Sequence, residues 1–287
     1  MNVHNCYLCG HKEYVTRPGK IRDNSSLKVL ECTNCSLVYL SSFNHIASSH
    51  YEESGMHDGE VPDIESWLKE TQVDDKRRYN FVKNKITNKK ILDFGCGAGG
   101  FLEFAKMSAT NVSGVELEKK LQDSFKSRGL NVYPNLKEAQ KENNNYDLIT
   151  SFHVIEHLSD PISTLKELAS LLNDKGEMII EVPNSDDVLL SLYDCQPFTN
   201  FTYWSQHLFL FNVHTFANLI KQAGLKLSWI KHVQRYSLSN HLYWLSAGKP
   251  GGHQKWSMID NKNLNAEYEN QLAAIGKTDT IIAGITK

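Results

Sequence analysis

Residues 89–106, KKILDFGCGAGGFLEFAK, constrain the fold of this chain more than any other stretch. Ile91 to Phe94 is a short apolar run of strand type, Gly95, Gly97, Gly99 and Gly100 make a turn, and FLEFAK opens a helix. Glycine lets backbone approach a ligand closely, and a strand, turn and helix start in succession aim backbone N–H groups at a polar or anionic group. The alternation continues along the chain. NVSGVELE reads as a strand ending at Glu116, LQDSFKSRG as a helix, LNVYP and YDLITSF (146–152) as strands, and PISTLKELASLLN (161–173) as a helix with Leu165, Leu168, Ala169 and Leu172 on one face. GEMIIEVPN (176–184) is a strand, NVHTFANLIKQAG a helix closed by Gly224, and LKLSWIKHVQRY a strand. Elements alternating at these lengths predict an α/β, doubly wound, Rossmann-like parallel sheet.

Three regions follow. Residues 1–40 hold Cys6-x-x-Cys9 and Cys32-x-x-Cys35, two knuckles separated by 22 residues, with Gly10 at the first tight turn. Each knuckle places two thiolates on one ion, so the four predict a closed, structural zinc ribbon with two short strands between the pairs. His4 and His11 are the alternative donors. So small a module buries little apolar surface, and the metal would supply its folding energy. Residues 41–75 mix turn residues with isolated aromatics and read as a connector that folds over the site as a lid. The α/β domain occupies 76–287, starting in a helical pattern at 74–86, with an insertion at 237–277 before the apolar last strand TDTIIAGITK.

Charge narrows the partners. Thirty-one basic and 33 acidic residues leave a net charge of −2, and the KRR at 76–78 reads as a solvated helix face. Phosphate-backbone binders cluster Lys and Arg, so nucleic acid is not expected as a partner. No run approaches the ~18 apolar residues of a membrane span, and the N-terminus lacks the apolar core of a signal peptide. Six cysteines, reduced or metal-bound, then fit a cytoplasmic protein. Oligomeric state is not readable.

Two motifs have competing readings. His153, Glu156 and His157 spell H-x-x-E-H, a metallopeptidase pattern. That use needs both histidines on one continuous helix face and a third ligand. Here they follow a strand directly, and Asp160-Pro161 interrupts after about one turn. Gly95-x-Gly97-x-x-Gly100 with Glu116 about twenty residues on fits the dinucleotide fingerprint, hence an NAD(P)-dependent oxidoreductase. Asp93, two residues before the first glycine, would sit badly beside a pyrophosphate and well beside a ligand with a cationic group.

Taken in order, ILDFGCGAGG, GVELE, YDLITSFHVIEHLSDP and GEMIIEVPN resemble the successive motifs of class I S-adenosylmethionine-dependent methyltransferases, over about residues 76–236. The zinc module resembles that of deoxysugar C-methyltransferases, and RYSLSNHLYWLSAGKPGGHQKW resembles methyltransferases of bacterial surface polysaccharide pathways. The resemblance implies a seven-stranded sheet whose last strand is antiparallel, with S-adenosyl-L-methionine as cofactor. Gly95 and Gly97 would contact its amino acid part with Asp93 behind them, Glu116 its ribose hydroxyls, Phe152 its flank and Arg78 its carboxylate. A small-molecule or glycan acceptor is implied, a carbohydrate or sugar-nucleotide hydroxyl first. His157, His207 and His153 are the candidates for removing its proton, a task suited to an imidazole near neutral pH. In the sugar C-methyltransferases a Glu-His pair stands where this chain has Gln206-His207, and a glutamine cannot take a proton. C-methylation and RNA methylation on the same fold, and a non-catalytic ligand-binding protein, are the alternatives. The segment after strand four lacks the Asn/Asp-Pro-Pro-aromatic motif of base N-methylation. His241, Trp244, Lys249, His253 and Trp256 of the insertion would either bind an anionic sugar or form a packing layer.

Overall fold

The computed structural model describes residues 5–47, 49–57, 59–61, 63–142 and 145–287. Three short antiparallel strands come first, β1 (Tyr14–Thr16), β2 (Val29–Cys32) and β3 (Val38–Leu40). A single 3₁₀ turn at Gly55–His57 leads to α1 (Ile64–Ile86). The alternating part is β4 (Lys90–Phe94), α2 (Gly100–Ala105), β5 (Asn111–Val115), α3 (Gln122–Ser127), β6 (Asn131–Tyr133), α4 (Leu136–Lys141), β7 (Tyr146–Phe152) and α5 (Pro161–Ser170). Then come β8 (Leu172–Pro183), α6 (Val188–Ser191), α7 (Gln196–Thr202), β9 (Phe209–Leu210), α8 (Val213–Gln222) and β10 (Lys226–Val233). The insertion forms α9 (Leu238–Ala247), α10 (Gly252–Lys255) and α11 (Lys262–Ala274), and β11 (Thr280–Thr286) closes the chain.

Seven strands pair in the order β10-β11-β8-β7-β4-β5-β6. β4, β5, β6, β7 and β8 run parallel, while β11 is antiparallel to both its neighbours, β8 and β10. This is the expected Rossmann-like sheet with its reversed last strand. The central strands are buried on both faces. β4, β7 and β8 carry Ile91, Leu92, Ile149, Ile179 and Val182 at 0–1 % exposure, as a sheet covered by helices requires.

Local signals account for the helix starts. α5 begins at Asp160-Pro161: the Asp160 side chain accepts from Ser163 N–H at 3.2 Å, and proline suits the first helical position. α8 starts in a reciprocal cap between Asn212 and Thr215 and ends at Gly224, whose φ of +75° suits glycine. α1 begins at Ile64, well before residue 74, and crosses the expected boundary at 75/76. Its first turns, IESWLKETQ, look polar, yet Ile64 and Trp67 pack against the Leu102, Leu121 and Phe125 cluster.

The ribbon is welded to the α/β domain. β3 pairs antiparallel with β9, Val38 opposite Leu210 and Tyr39 opposite Phe209, so the expected two-stranded ribbon is a four-stranded sheet. Tyr7 packs against Phe209 with tilted rings whose centroids are 5.1 Å apart, and its hydroxyl donates to Asp160 at 2.6 Å. Gln222 of α8 donates to the Leu8 carbonyl. Among the described residues no helix is long and apolar enough to cross a membrane.

Candidate active site

The glycine turn is shaped by backbone that only glycine adopts without strain. Gly95, Gly97 and Gly99 have φ of +73°, +52° and +82°. A Cβ on Gly95 would collide with the Val154 side chain, so the turn passes directly under the end of β7. Gly95 and Cys96 N–H donate to the Val115 carbonyl at 2.9 and 3.1 Å, tying the turn to β5. Glu116, just past β5, accepts from Gly97 N–H at 2.8 Å and from Glu118 N–H at 3.0 Å. Burial pushes its carboxyl above the ordinary carboxylate value, with those N–H groups opposing.

A cavity of about 580 Å³ opens here, lined on one side by Gly95, Gly97, Glu116, Phe152 and Arg78. Its size suits a nucleoside-type ligand with room beside it. Asp93 does not line it. That carboxyl is 3 % exposed, accepts from the Thr150 hydroxyl at 2.7 Å rather than from the glycine N–H groups, and is pushed up to about 7 by burial. Arg78 caps the Phe152 ring at 4.9 Å and spends its N–H groups on Glu181 at 2.9 Å, with Asp75 at 3.6 Å. Phe152 meets Phe101 edge-on at 5.0 Å.

Arg77 is no solvated residue. It forks onto Glu181 with two contacts of 2.9 Å and reaches Asp74 at 3.1 Å, and Arg235 from beyond β10 also pairs with Asp74. Against burial, His153, Arg78 and Arg77 hold the Glu181 carboxyl well below its ordinary value. A glutamate inside an apolar strand, GEMIIEVPN, was the signal for this network. Its partners Arg77 and Arg78 lie more than a hundred residues earlier in the chain, beyond the reach of any local pattern.

The loop after β7 carries the histidines. His153 has φ +57°, a left-handed conformation uncommon outside glycine. This turns its ring between Glu156, 3.2 Å from Nδ1, and Glu181, 3.2 Å from Nε2. His157 lies on a single 3₁₀ turn, Ile155–His157, and is 6 % exposed. Its Nδ1–H donates to the Gln206 carbonyl at 2.8 Å, which leaves Nε2 as the lone-pair nitrogen. Burial lowers its pKa, although Glu156 opposes this with Oε1 3.9 Å from Nε2, so the ring is neutral at pH 7. His207 comes from the loop ahead of β9, with its ring centroid 5.0 Å from that of His157. Its Nδ1 is buried with no partner among the described residues, and burial, followed by the neighbouring His157 imidazole, pushes its pKa down to about 3. The structure therefore gathers His153, His157 and His207, spread over more than fifty residues, at one wall of the cavity. Gln206 is held by its side chain, which meets His50 Nε2 at 2.8 Å, and Tyr51 donates to the His157 carbonyl at 3.0 Å. Tyr51, Met56 and His57 of the connector line the same cavity.

The far wall is built by α6, α7 and the insertion. Asp187, Phe198, Phe201, Asn240, His241 and Asp279 line it. Burial, then the nearby Asp279, pushes the Asp187 carboxyl up to about 8, and burial lowers His241 to about 4. The insertion thus both packs and lines: Trp244 is buried against Val188, Leu189, Cys195 and Leu272, while Lys249, His253 and Trp256 stand outside the cavity wall.

Away from the cavity, Cys6, Cys9, Cys32 and Cys35 bring their sulfurs within 4.8 Å of one another, at 3.5 Å for Cys6–Cys35 and Cys9–Cys32. Thiolates at ~2.3 Å on a tetrahedral ion stand ~3.8 Å apart, so the four could hold zinc with no open position. None is in a disulfide. His11 is turned toward Glu13 at 3.8 Å, and His4 lies outside the described residues.

A sequence-family model described as a methyltransferase domain matches residues 66–228, more than half of the chain. A ubiquinone biosynthesis O-methyltransferase of Hydrogenovibrio crunogenus is 25 % identical over 173 residues, covering 56 % of this chain and 67 % of that protein. Its counterpart in Vibrio campbellii is 26 % identical over 133 residues, 42 % of this chain and 57 % of that one. An uncharacterized Methanocaldococcus jannaschii protein is 30 % identical across 38 % of this chain and 49 % of its own. The chain thus spans about half to two thirds of the length of these curated relatives. Among solved structures, the plantazolicin methyltransferase BpumL in complex with S-adenosylhomocysteine superposes at a TM-score of 0.53 with 19 % identity, covering 83 % of this chain and 93 % of that one. The methyltransferase seen with the Haloferax volcanii Trm112 activator gives 0.52 at 12 % identity, over 79 % and 99 %. Fold, glycine turn and family match converge: the chain belongs to the class I S-adenosylmethionine-dependent methyltransferases.

Proposed function

We propose that this enzyme methylates a hydroxyl of a carbohydrate or sugar nucleotide. The observation that carries the hydroxyl is the neutral, buried His157, whose Nδ1–H is fixed on a backbone carbonyl so that its second nitrogen presents a lone pair beside His207 at the cavity wall. The O-methyltransferase relatives agree with an oxygen acceptor. Gln206, which spends its side chain on His50, offers no carboxylate for proton abstraction from carbon. Trp204, Phe201 and Tyr236 offer faces for a sugar ring, and Asp187, Asn240 and Asp279 offer partners for its hydroxyls.

S-adenosylmethionine, when bound, supplies a methyl carbon activated by a sulfonium. Gly95 and Gly97 would let its amino acid part lie against the backbone, and Glu116 would accept from the ribose hydroxyls with the lone pairs that Gly97 and Glu118 leave unused. Phe152 would flank it, with Arg78 near its carboxylate and held in place by Glu181. Asp93 would act from beneath, bracing β4 against β7 through Thr150. His157 and His207 would help the acceptor lose its proton, and His153 would fix Glu156. The four cysteines would hold a structural zinc, and a cytoplasmic location suits their reduced state.

Calorimetry with S-adenosylhomocysteine and with NAD, followed by transfer of labelled methyl to a panel of sugar nucleotides, tests this. The expected result is homocysteine-ligand binding and an alkali-stable methyl ether. NAD binding alone, or a product methylated only on nitrogen or carbon, overturns it.

A further inference from the structure

The histidines at the cavity wall after β7 and before β9 form more than a pair of bases. Glu156, His157 and His207 each offer one donor atom, and these atoms lie within 4.8 Å of one another. Glu156 is fully buried; His153 holds its Oε1, while Oε2 has no hydrogen-bond partner among the described residues. His207 Nδ1 is likewise buried and unpartnered. A carboxylate oxygen buried without a donor is costly unless a cation meets it. His157 completes the picture. Its Nδ1–H rests on the Gln206 carbonyl, the arrangement that orients an imidazole to ligate through its other nitrogen.

We propose that Glu156, His157 and His207 bind a divalent transition-metal ion facing the cavity, and that this ion activates the acceptor hydroxyl. The proposal deepens the hydroxyl-methylation reading above and rests on it. Two imidazoles and one carboxylate suit Zn²⁺, Mn²⁺ or Fe²⁺. Three protein donors leave positions open, unlike the closed four-thiolate ribbon, so an acceptor oxygen can enter. Both histidines line the cavity, so that oxygen has a path to the ion. The H-x-x-E-H pattern lacked a third ligand in sequence. The fold supplies it as His207, fifty residues past His157, and withdraws His153 to the Glu156–Glu181 side.

In the reaction the acceptor oxygen binds the ion, and its O–H proton, made acidic by the cation, leaves to solvent water. The electron pair of that O–H bond stays on oxygen and forms the bond to the methyl carbon of S-adenosylmethionine. The C–S bond breaks and its pair remains on sulfur. The products are the methyl ether, S-adenosylhomocysteine and one released proton.

The test uses the full chain with its ribbon zinc in place and Mn²⁺ as the probe, since thiolates do not favour that ion. Loss of the free Mn²⁺ spin-resonance signal should saturate at one ion per chain, and spin-echo modulation should show imidazole nitrogen on it. Glu156→Gln and His207→Ala should each weaken binding at least about tenfold, while calorimetry shows S-adenosylhomocysteine still bound by the folded variants. If the wild-type chain binds S-adenosylhomocysteine but no Mn²⁺ up to millimolar concentration, or binds it without imidazole coupling, the metal site is wrong and the methyltransferase reading stands. If S-adenosylhomocysteine itself fails to bind, the reading beneath the proposal falls.

Discussion

His157 and Asp93 are both buried, and the difference in what surrounds them sets what each can do. His157 is anchored at one nitrogen and free at the other, on the cavity wall. His157→Gln keeps polarity and removes that nitrogen lone pair. It should lower kcat by about 100-fold or more while leaving S-adenosylhomocysteine affinity within about threefold, since groups that assist proton loss typically contribute about 10²–10⁴. Steady-state kinetics beside calorimetry separate the two, and an unchanged kcat would remove the residue from the chemistry. Asp93 never reaches the cavity. Its folded value of about 7 stands above its ordinary 3.8, so the folded chain keeps a proton that the unfolded chain loses between those values. The contribution of this residue to stability therefore falls as pH rises from about 4 to about 7 and is level above. Asp93→Asn preserves an acceptor for Thr150 and has no charge to bury. Its stability relative to wild type should improve across that window, by up to about 4 kcal/mol above pH 7. Urea unfolding at pH 5 and pH 8 reads the change; an equal difference at both pH values would refute it.

At the scale of elements, what was legible in the sequence is what local pattern encodes. The glycine turn, the apolar central strands and the capped, one-faced α5 each carry their signal within about twenty residues. The reversed last strand followed from the resemblance, and Glu116 from its place about twenty residues past that turn. What could not be read depends on partners far along the chain. α1 hid its first turns because Trp67 and Ile64 are isolated apolar residues whose cover comes from α2 and α3. Arg77 looked solvated because Glu181 is over a hundred residues away. β9 is two residues long and becomes a strand only because β3 of the ribbon pairs with it. That pairing makes the ribbon a support for the site. Leu40 N–H donates to the Leu208 carbonyl at 3.0 Å, one residue past His207. Removing the zinc proposed for the ribbon, as in Cys32→Ser, should therefore loosen Leu208–Leu210 first. Hydrogen exchange should rise there and in β3 while β4 and β7 stay protected, and methyl transfer should fall more than S-adenosylhomocysteine affinity. Uniform loss of protection across the seven-stranded sheet would instead make the ribbon a general stabiliser.

At the scale of the whole molecule, the cavity is a joint product of every region. The connector contributes Tyr51, the ribbon contributes Arg22 and braces His207, the parallel strands contribute the glycine turn and the His157 loop, and the insertion closes the far side with Asn240 and His241. The insertion also explains the acid pair there. Val188 N–H donates to the Lys277 carbonyl, and Asn184 donates to the Thr278 carbonyl at 2.7 Å, so the start of α6 is held against the chain entering β11 and Asp187 comes to lie near Asp279. Leu189 N–H donates to Asp187 Oδ1 at 2.7 Å, which places the proton of the neutral acid on the other oxygen. With a value of about 8, Asp187 is mostly protonated at pH 7 and can donate to a sugar hydroxyl. As pH rises through 8 it becomes a second carboxylate beside Asp279, loses its donor, and repels a phosphate-bearing acceptor. The acceptor KM of wild type should therefore rise several-fold between about pH 7 and pH 9. Asp187→Asn, neutral throughout and still able to donate and accept, should not show that rise, and S-adenosylhomocysteine affinity should follow the same pH course in both. Parallel KM profiles for the two enzymes would mean that the far wall does not meet the acceptor, and would move the acceptor's binding face to the aromatic side formed by Trp204 and Phe201.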